Sequence, residues 1–180
     1  MKHTTDTIGP AEARARAAGR LGRRRLEHSQ RVAELAAHYA RIHGASADDA
    51  LVAGWLHDVC RDLSAEEALD AAARFGVPVG QLEPGNPVGL LHAPLAAAEL
   101  RAAGLDEQVA RAIELHTVGA AGMDILAKCL YLADLCEPHR DFAGLERVRR
   151  LAETSLDEAV AAAARLTLLE VIEKERGVHP

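Results

Sequence analysis

The sequence predicts an all-α fold, and three observations carry that prediction. Apolar residues make up 49 % of the 180 residues but aromatics only 3 %, so the core must rest on Ala, Leu and Val. Ala and Leu are strong helix formers, whereas residues that favour strands are scarce. Apolar positions recur at helical spacing, as in Val32, Leu35, Ala36, Tyr39, Ala40 and Ile42, between frequent helix stop and start signals. The length suits one domain with a real core.

The elements follow in order. Met1 to Gly9 reads as a loose tail. Pro10 suits a first helical position and opens a helix that fades over Gly19 to Gly22. Its "ARARAAGRLGRRR" run has the look of a transit peptide, but Asp6, Glu12 and the lack of serines favour a solvated helix. The expected organisation is therefore a tail and first helix over 1–20, then a single domain over 21–176. Glu27 to His43 forms the next helix, ended by Gly44. Ser46 or Asp48 caps a third, which carries "AGWLHDVCRDL" to about Cys60. Ser64 and Glu67 form an S-x-x-E capping box for a helix ending near Gly76.

"GVPVGQLEPGNPVG" is a loop, after which Pro94 is expected in the first turn of a helix running to Gly104, with His92 at its entrance. Asp106 caps a helix to about His116, and "TVGAAGM" is a second loop. Asp124 to Cys136 is the following helix. Ser155 with Glu158 caps the last, "LDEAVAAAARLTLLEVIEKE". There is no internal repeat.

Several function classes are excluded by totals. A net charge of −6 offers no basic footprint, so nucleic acid is not an expected partner. No apolar run approaches a membrane span, and the first residues lack a signal-peptide core. Cys60, Cys129 and Cys136 are odd in number and lack C-x-x-C spacing. They read as reduced thiols of a cytoplasmic protein.

The chemistry is in the histidines, of which there are nine. His3 and His179 lie in the tails, and His38, His43 and His139 read as surface or helix-end residues. The others form a series with two aspartates: His28, His57-Asp58, His92, His116 and Asp134, each on or at the end of a different helix. Each has apolar neighbours, such as Leu56 and Val59 around the His-Asp pair. A single histidine of this kind is usually a satisfied core residue. Six buried polar groups left unpaired would each cost about 1–3 kcal/mol, a sum that small alanine contacts cannot absorb. A metal centre removes the difficulty, because imidazole and carboxylate are good ligands for borderline ions such as Fe, Mn, Co, Ni or Zn.

The order H…HD…H…H…D resembles that of the HD-domain metal-dependent phosphohydrolases, all-helical bundles named for the His-Asp pair. The likeness is greatest to a bacterial branch, the YqeK-type symmetrical diadenosine-tetraphosphate hydrolases. It rests on "LEHSQRV", "AGWLHDVCRD", "LLHAPLAA", "ELHTVGAAGM" and "LAKCLYLADLCEPHRDF", and it runs from about Leu21 to the last helix. The resemblance implies that His28, His57, Asp58 and Asp134 hold one metal, and that His92 and His116 hold a second, with Asp58 bridging. It also implies a di-iron centre, and attack of a metal-bridging hydroxide on an inner phosphorus to release two ADP.

Arg61 stands where the branch usually carries Lys, and keeps the positive charge as a planar fork beside Asp58 in the catalytic set. Arg61, Thr117, Gly119, Lys128, Glu137 and Arg140 are the positions implied for substrate contact. Ala120 and Ala121 replace an Arg-Pro pair often found in the branch. The expected partner is thus a dinucleoside polyphosphate, with no nucleic acid or membrane. Oligomeric state is left open, a homodimer included. The alternatives are a nucleotidase or other phosphohydrolase of the same type, and an HD scaffold that regulates without chemistry.

Overall fold

Every regular element is helical among residues 8–175 and 177–178, which this computed structural model describes. The order is α1 (Pro10–Arg20), α2 (Arg23–His43), α3 (Ala47–Leu56), α4 (Ala65–Phe75), a 3₁₀ turn (Glu83–Gly85), α5 (Pro87–Ala102), α6 (Glu107–Leu115), α7 (Ile125–Cys136), α8 (Leu145–Ala152) and α9 (Leu156–Glu173). α2 packs on α3 and α7, α3 also meets α6 and α7, and α6 lies between α5 and α7. Four helices thereby surround one interior region. No helix among the described residues is long and apolar enough to cross a membrane.

Small residues set the spacing of this interior. Ala33, Ala36, Ala37 and Ala40 of α2 and Ala50 and Ala53 of α3 are fully or almost fully buried. At Gly54 the helices are so close that a Cβ would stand 2.3 Å from Ala33 Cα. The caps follow the sequence closely. Ser46, Asp106, Asp124 and Ser155 each accept a backbone N–H in the first turn of their helix, and Ser64 with Glu67 makes the reciprocal capping box.

Some elements differ from expectation. α3 stops at Leu56, so His57 is its C-cap residue and Asp58 lies in the following turn. α5 begins at Pro87, not at Pro94. Asn86 is non-helical and Pro87 needs no N–H partner at a first helical position. Pro94 is carried in the helix interior, and His92 is buried in the second turn, not at the entrance. α2 starts at Arg23, four residues before Glu27. α8 was not anticipated; it buries Leu145, Val148 and Ala152 on one face.

Of the expected tail, Ile8 is buried and Gly9 caps α1, while residues 1–7, with His3, and also His179, lie outside the described residues. Ala13, Ala17 and Leu21 share one apolar core with the rest of the bundle, so residue 20 marks the bend between α1 and α2.

Candidate functional site

The residues that the sequence singled out as ligands come from different helices and meet in the interior. His28 is on α2, His57 and Asp58 follow α3, His92 is on α5, His116 caps the end of α6 and Asp134 is on α7. They form three overlapping groups whose ligand atoms lie within 4.8 Å of one another: His28, His57 and Asp58; His57, His116 and Asp134; Asp58, His92 and His116. The imidazoles run in sequence through the cluster, with ring centroids 5.4 Å apart for His28–His57, 4.8 Å for His57–His116 and 5.0 Å for His92–His116.

Backbone carbonyls fix the tautomers. His57 Nδ1 donates to Gly54 O at 2.8 Å and His116 Nδ1 to Ile113 O at 2.7 Å, since a carbonyl can only accept, and in both rings Nε2 is the atom that faces inward. His92 Nδ1 stands 2.9 Å from Val88 O and 3.1 Å from Arg61 Nη1, so its Nε2 also faces inward. His57 Nε2 is buried without a hydrogen-bond partner, 3.7 Å from Asp58 Oδ2 and 4.0 Å from Asp134 Oδ1. A buried, unpartnered ring nitrogen aimed at two carboxylates suits a cation held between them.

His92 Nε2 and His116 Nε2 face each other at 3.1 Å, with Thr117 Oγ1 at 3.1 and 3.3 Å. One hydroxyl hydrogen cannot serve both nitrogens. Neighbouring nitrogens around a single ion, with bonds of about 2.1 Å, stand about 3 Å apart. Four imidazoles and two carboxylates in this arrangement fit divalent metal binding.

The electrostatics agree. Burial pushes the His92 ring down to about 3 and the His116 ring down to about 4, keeping both neutral and able to coordinate. Burial opposes ionisation of Asp58 and Asp134, but the surrounding imidazoles outweigh it and hold both carboxyls well below their ordinary range. His28 is the exception. Burial lowers it, but Asp134, whose Oδ1 is 3.0 Å from His28 Nε2, outweighs burial and raises it above the ordinary histidine value.

Around this cluster lies a layer that the sequence reading missed. Arg25 donates one N–H to Asp58 Oδ2 at 3.0 Å and another to Asp62 Oδ1 at 2.7 Å. Arg31 donates to Glu137 Oε2 at 2.6 Å, and the His139 N–H joins the same oxygen at 3.0 Å. Glu137 Oε1 in turn faces His28 Nδ1 at 3.5 Å. The signal was present: Arg24, Arg25 and Arg31 stand three or four residues from His28 and so share its helix face.

The cluster opens into a cleft of about 1000 Å³ whose lining includes Arg23, Arg24, Arg25, Arg31, Arg61 and Arg140. Arg61 donates to Val88 O at 3.0 Å, the acceptor it shares with His92 Nδ1. Arg140 reaches Asp134 at 3.5 Å, and Arg24 has no ion-pair or hydrogen-bond partner among the described residues. Thr117, Glu137 and also His139, read from sequence as a surface residue, line the same cleft. Two expected substrate contacts do not. Lys128 pairs with Asp157 of α9 at 2.6 Å, and Gly119, at φ +72°, lies beyond Thr117 with its Cα turned toward the Tyr131 ring.

Comparison with known proteins gives a consistent picture. A family profile described as HD domain matches residues 25–139. The symmetrical bis(5'-nucleosyl)-tetraphosphatase of Bacillus subtilis (strain 168) is 36 % identical over 171 residues, covering 94 % of this chain and 91 % of that protein. The protein of the same name from Staphylococcus aureus (strain NCTC 8325 / PS 47) is 32 % identical, with coverage of 93 % and 88 %. A 1.50 Å crystal structure from Clostridium acetobutylicum, described as a predicted HD superfamily hydrolase involved in NAD metabolism, superposes with a TM-score of 0.87 at 30 % identity, covering 94 % of this chain and 90 % of that one.

Proposed function

The chain belongs to the HD-domain family, beside the symmetrical bis(5'-nucleosyl)-tetraphosphatases, and from that premise we propose that it hydrolyses diadenosine tetraphosphate to two ADP. The observation that carries this reading is the buried, partnerless His57 Nε2 among imidazoles and carboxylates on the floor of an arginine-lined cleft. A cation suits the floor, and an anionic ligand suits the arginines of the walls.

In this reading His28, His57, Asp58 and Asp134 would hold one ion, and His92 and His116, with Asp58 beside them, would hold a second. Iron is the metal we propose for both. Bound there, the metal would supply Lewis-acid chemistry, activating water and offsetting charge on the attacked phosphate. The chain's own residues do the rest. Arg61, Arg140 and Arg24 offset the charge that gathers on the phosphate oxygens, and Arg61 is set beside the ligands by Val88 O. Thr117 supplies a hydroxyl at the edge of the cluster. Glu137 orients His28 and is itself held by Arg31. Gly119 shapes the loop behind Thr117, and Lys128 ties α7 to α9.

A side-chain nucleophile is not needed. Burial pushes the Cys60 and Cys129 thiols up to about 12 and Cys136 up to about 11, so none is a thiolate at neutral pH. The same free, buried cysteines support the cytoplasm as the location. Leu168, Leu169 and Ile172, exposed on α9, support a homodimer, which sedimentation velocity measures.

The test is metal quantification on anaerobically purified protein, together with product analysis on diadenosine tetraphosphate. About two irons per chain and ADP as sole product are expected; AMP with ATP would defeat the symmetrical reading. The C. acetobutylicum neighbour's description favours one second reading, action on another nucleotide, and the same assay across a nucleotide panel separates the two. A regulatory scaffold without chemistry is disfavoured by retention of every ligand position.

A further inference from the structure

Next to the cleft is a second chamber of about 590 Å³, and the two share Thr117. The partition between them is built by alternation. On α5, Leu91 and Ala93 line the chamber while His92 between them lines the cleft. At the end of α6, Leu115 and Val118 line the chamber on either side of His116 and Thr117. Pro78 and Leu82 of the 76–86 loop close the opposite wall.

The two spaces differ in chemistry. Apart from Gly22, every residue lining the cleft has a polar or charged side chain. The chamber is walled mostly by aliphatic residues, with Gln81, Glu83, Glu114 and the shared Thr117 as its polar members. An apolar cavity of this size with a few polar groups is the form of a site for a flat organic ring, not for phosphate. Gln81 and Glu114 place an amide and a carboxylate on its wall, groups able to meet the polar edge of such a ring.

Resting on the hydrolase reading above, we propose that this chamber seats one nucleoside of the substrate, and that the other half is held on the arginine side through its phosphates alone. The substrate is symmetrical; the site is not. One nucleoside is therefore sufficient, and the substrate class extends to nucleoside 5'-tetraphosphates. With adenosine 5'-tetraphosphate, water adds across the central P–O–P bridge. Its oxygen bonds to one inner phosphorus, the bridging bond to that phosphorus breaks, and the bridging oxygen leaves on the other. ADP and pyrophosphate result, with the surplus proton lost to solvent.

The experiment uses the metal-loaded protein. Wild type should cleave adenosine 5'-tetraphosphate to ADP and pyrophosphate with kcat/KM within about tenfold of that for diadenosine tetraphosphate, since only a weakly held second nucleoside is lost. Val118→Trp fills the chamber from its exposed rim, and Leu82→Trp fills it from the loop. Each should weaken ADP binding by about tenfold or more in calorimetry and leave pyrophosphate binding within about twofold. Metal content and helicity report that the variants are folded.

Cleavage of diadenosine tetraphosphate but not of adenosine 5'-tetraphosphate overturns the single seat and leaves the hydrolase reading standing. Unchanged ADP affinity in both filled variants overturns the chamber as that seat. Cleavage of neither compound overturns the hydrolase reading and this proposal together.

Discussion

Replacing His57 by Ala removes the ring whose Nε2 faces both Asp58 and Asp134. The expected outcome is loss of metal and a fall in hydrolysis of more than about 100-fold, with helical circular dichroism largely retained. Normal metal content in His57→Ala would refute the ligand assignment. Glu137→Gln tests the layer outside. It keeps the size of the side chain but weakens the pull on His28 Nδ1, and metal affinity should drop about 10–100-fold in a chelator competition. The buried cluster itself could be read from sequence because a polar residue repeatedly interrupting apolar helices has to be accounted for. Arg25 and Arg31 could not be assigned partners. A guanidinium on a flexible stem finds Asp58 or Glu137 only after α2, α3 and α7 have packed.

Helix contacts place the ligands, and Gly54 is the tightest of them. A methyl group there would enter Ala33 at 2.3 Å, so Gly54→Ala forces α3 away from α2 and moves the carbonyl that orients His57. Overpacking of this kind costs about 1–3 kcal/mol, and the variant should show both a lower urea midpoint and reduced metal occupancy. Element positions were legible wherever a cap wrote them. Ser46, Ser64, Asp106, Asp124 and Ser155 all act as N-caps. Where two prolines competed to start α5, local chemistry was ambiguous, and packing of Leu91 and Leu95 into the core decided for Pro87. α8 was hidden because a short run of Arg and Glu between glycine and serine resembles a loop until its buried Leu145–Val148 face is seen.

For the molecule as a whole, the metal is part of the fold's stability. A ligand present at 100 times its dissociation constant stabilises the native state by about 2.7 kcal/mol. For a domain of 150–250 residues, each kcal/mol shifts Tm by about 2–4 °C. Stripping the metal should therefore lower Tm by about 5–11 °C in differential scanning calorimetry, and re-adding it should restore the value. An unchanged Tm would mean that nothing bound bridges the helices. The ligand positions run from His28 to Asp134, so no ion can be enclosed until the ribosome has released well over half of the polypeptide. Sites of nitrogen and oxygen ligands bind zinc and copper more tightly than ferrous iron, so iron occupancy depends on which ions are available. Cultures starved of iron and supplied with zinc should yield the same polypeptide with less iron and more zinc in elemental analysis.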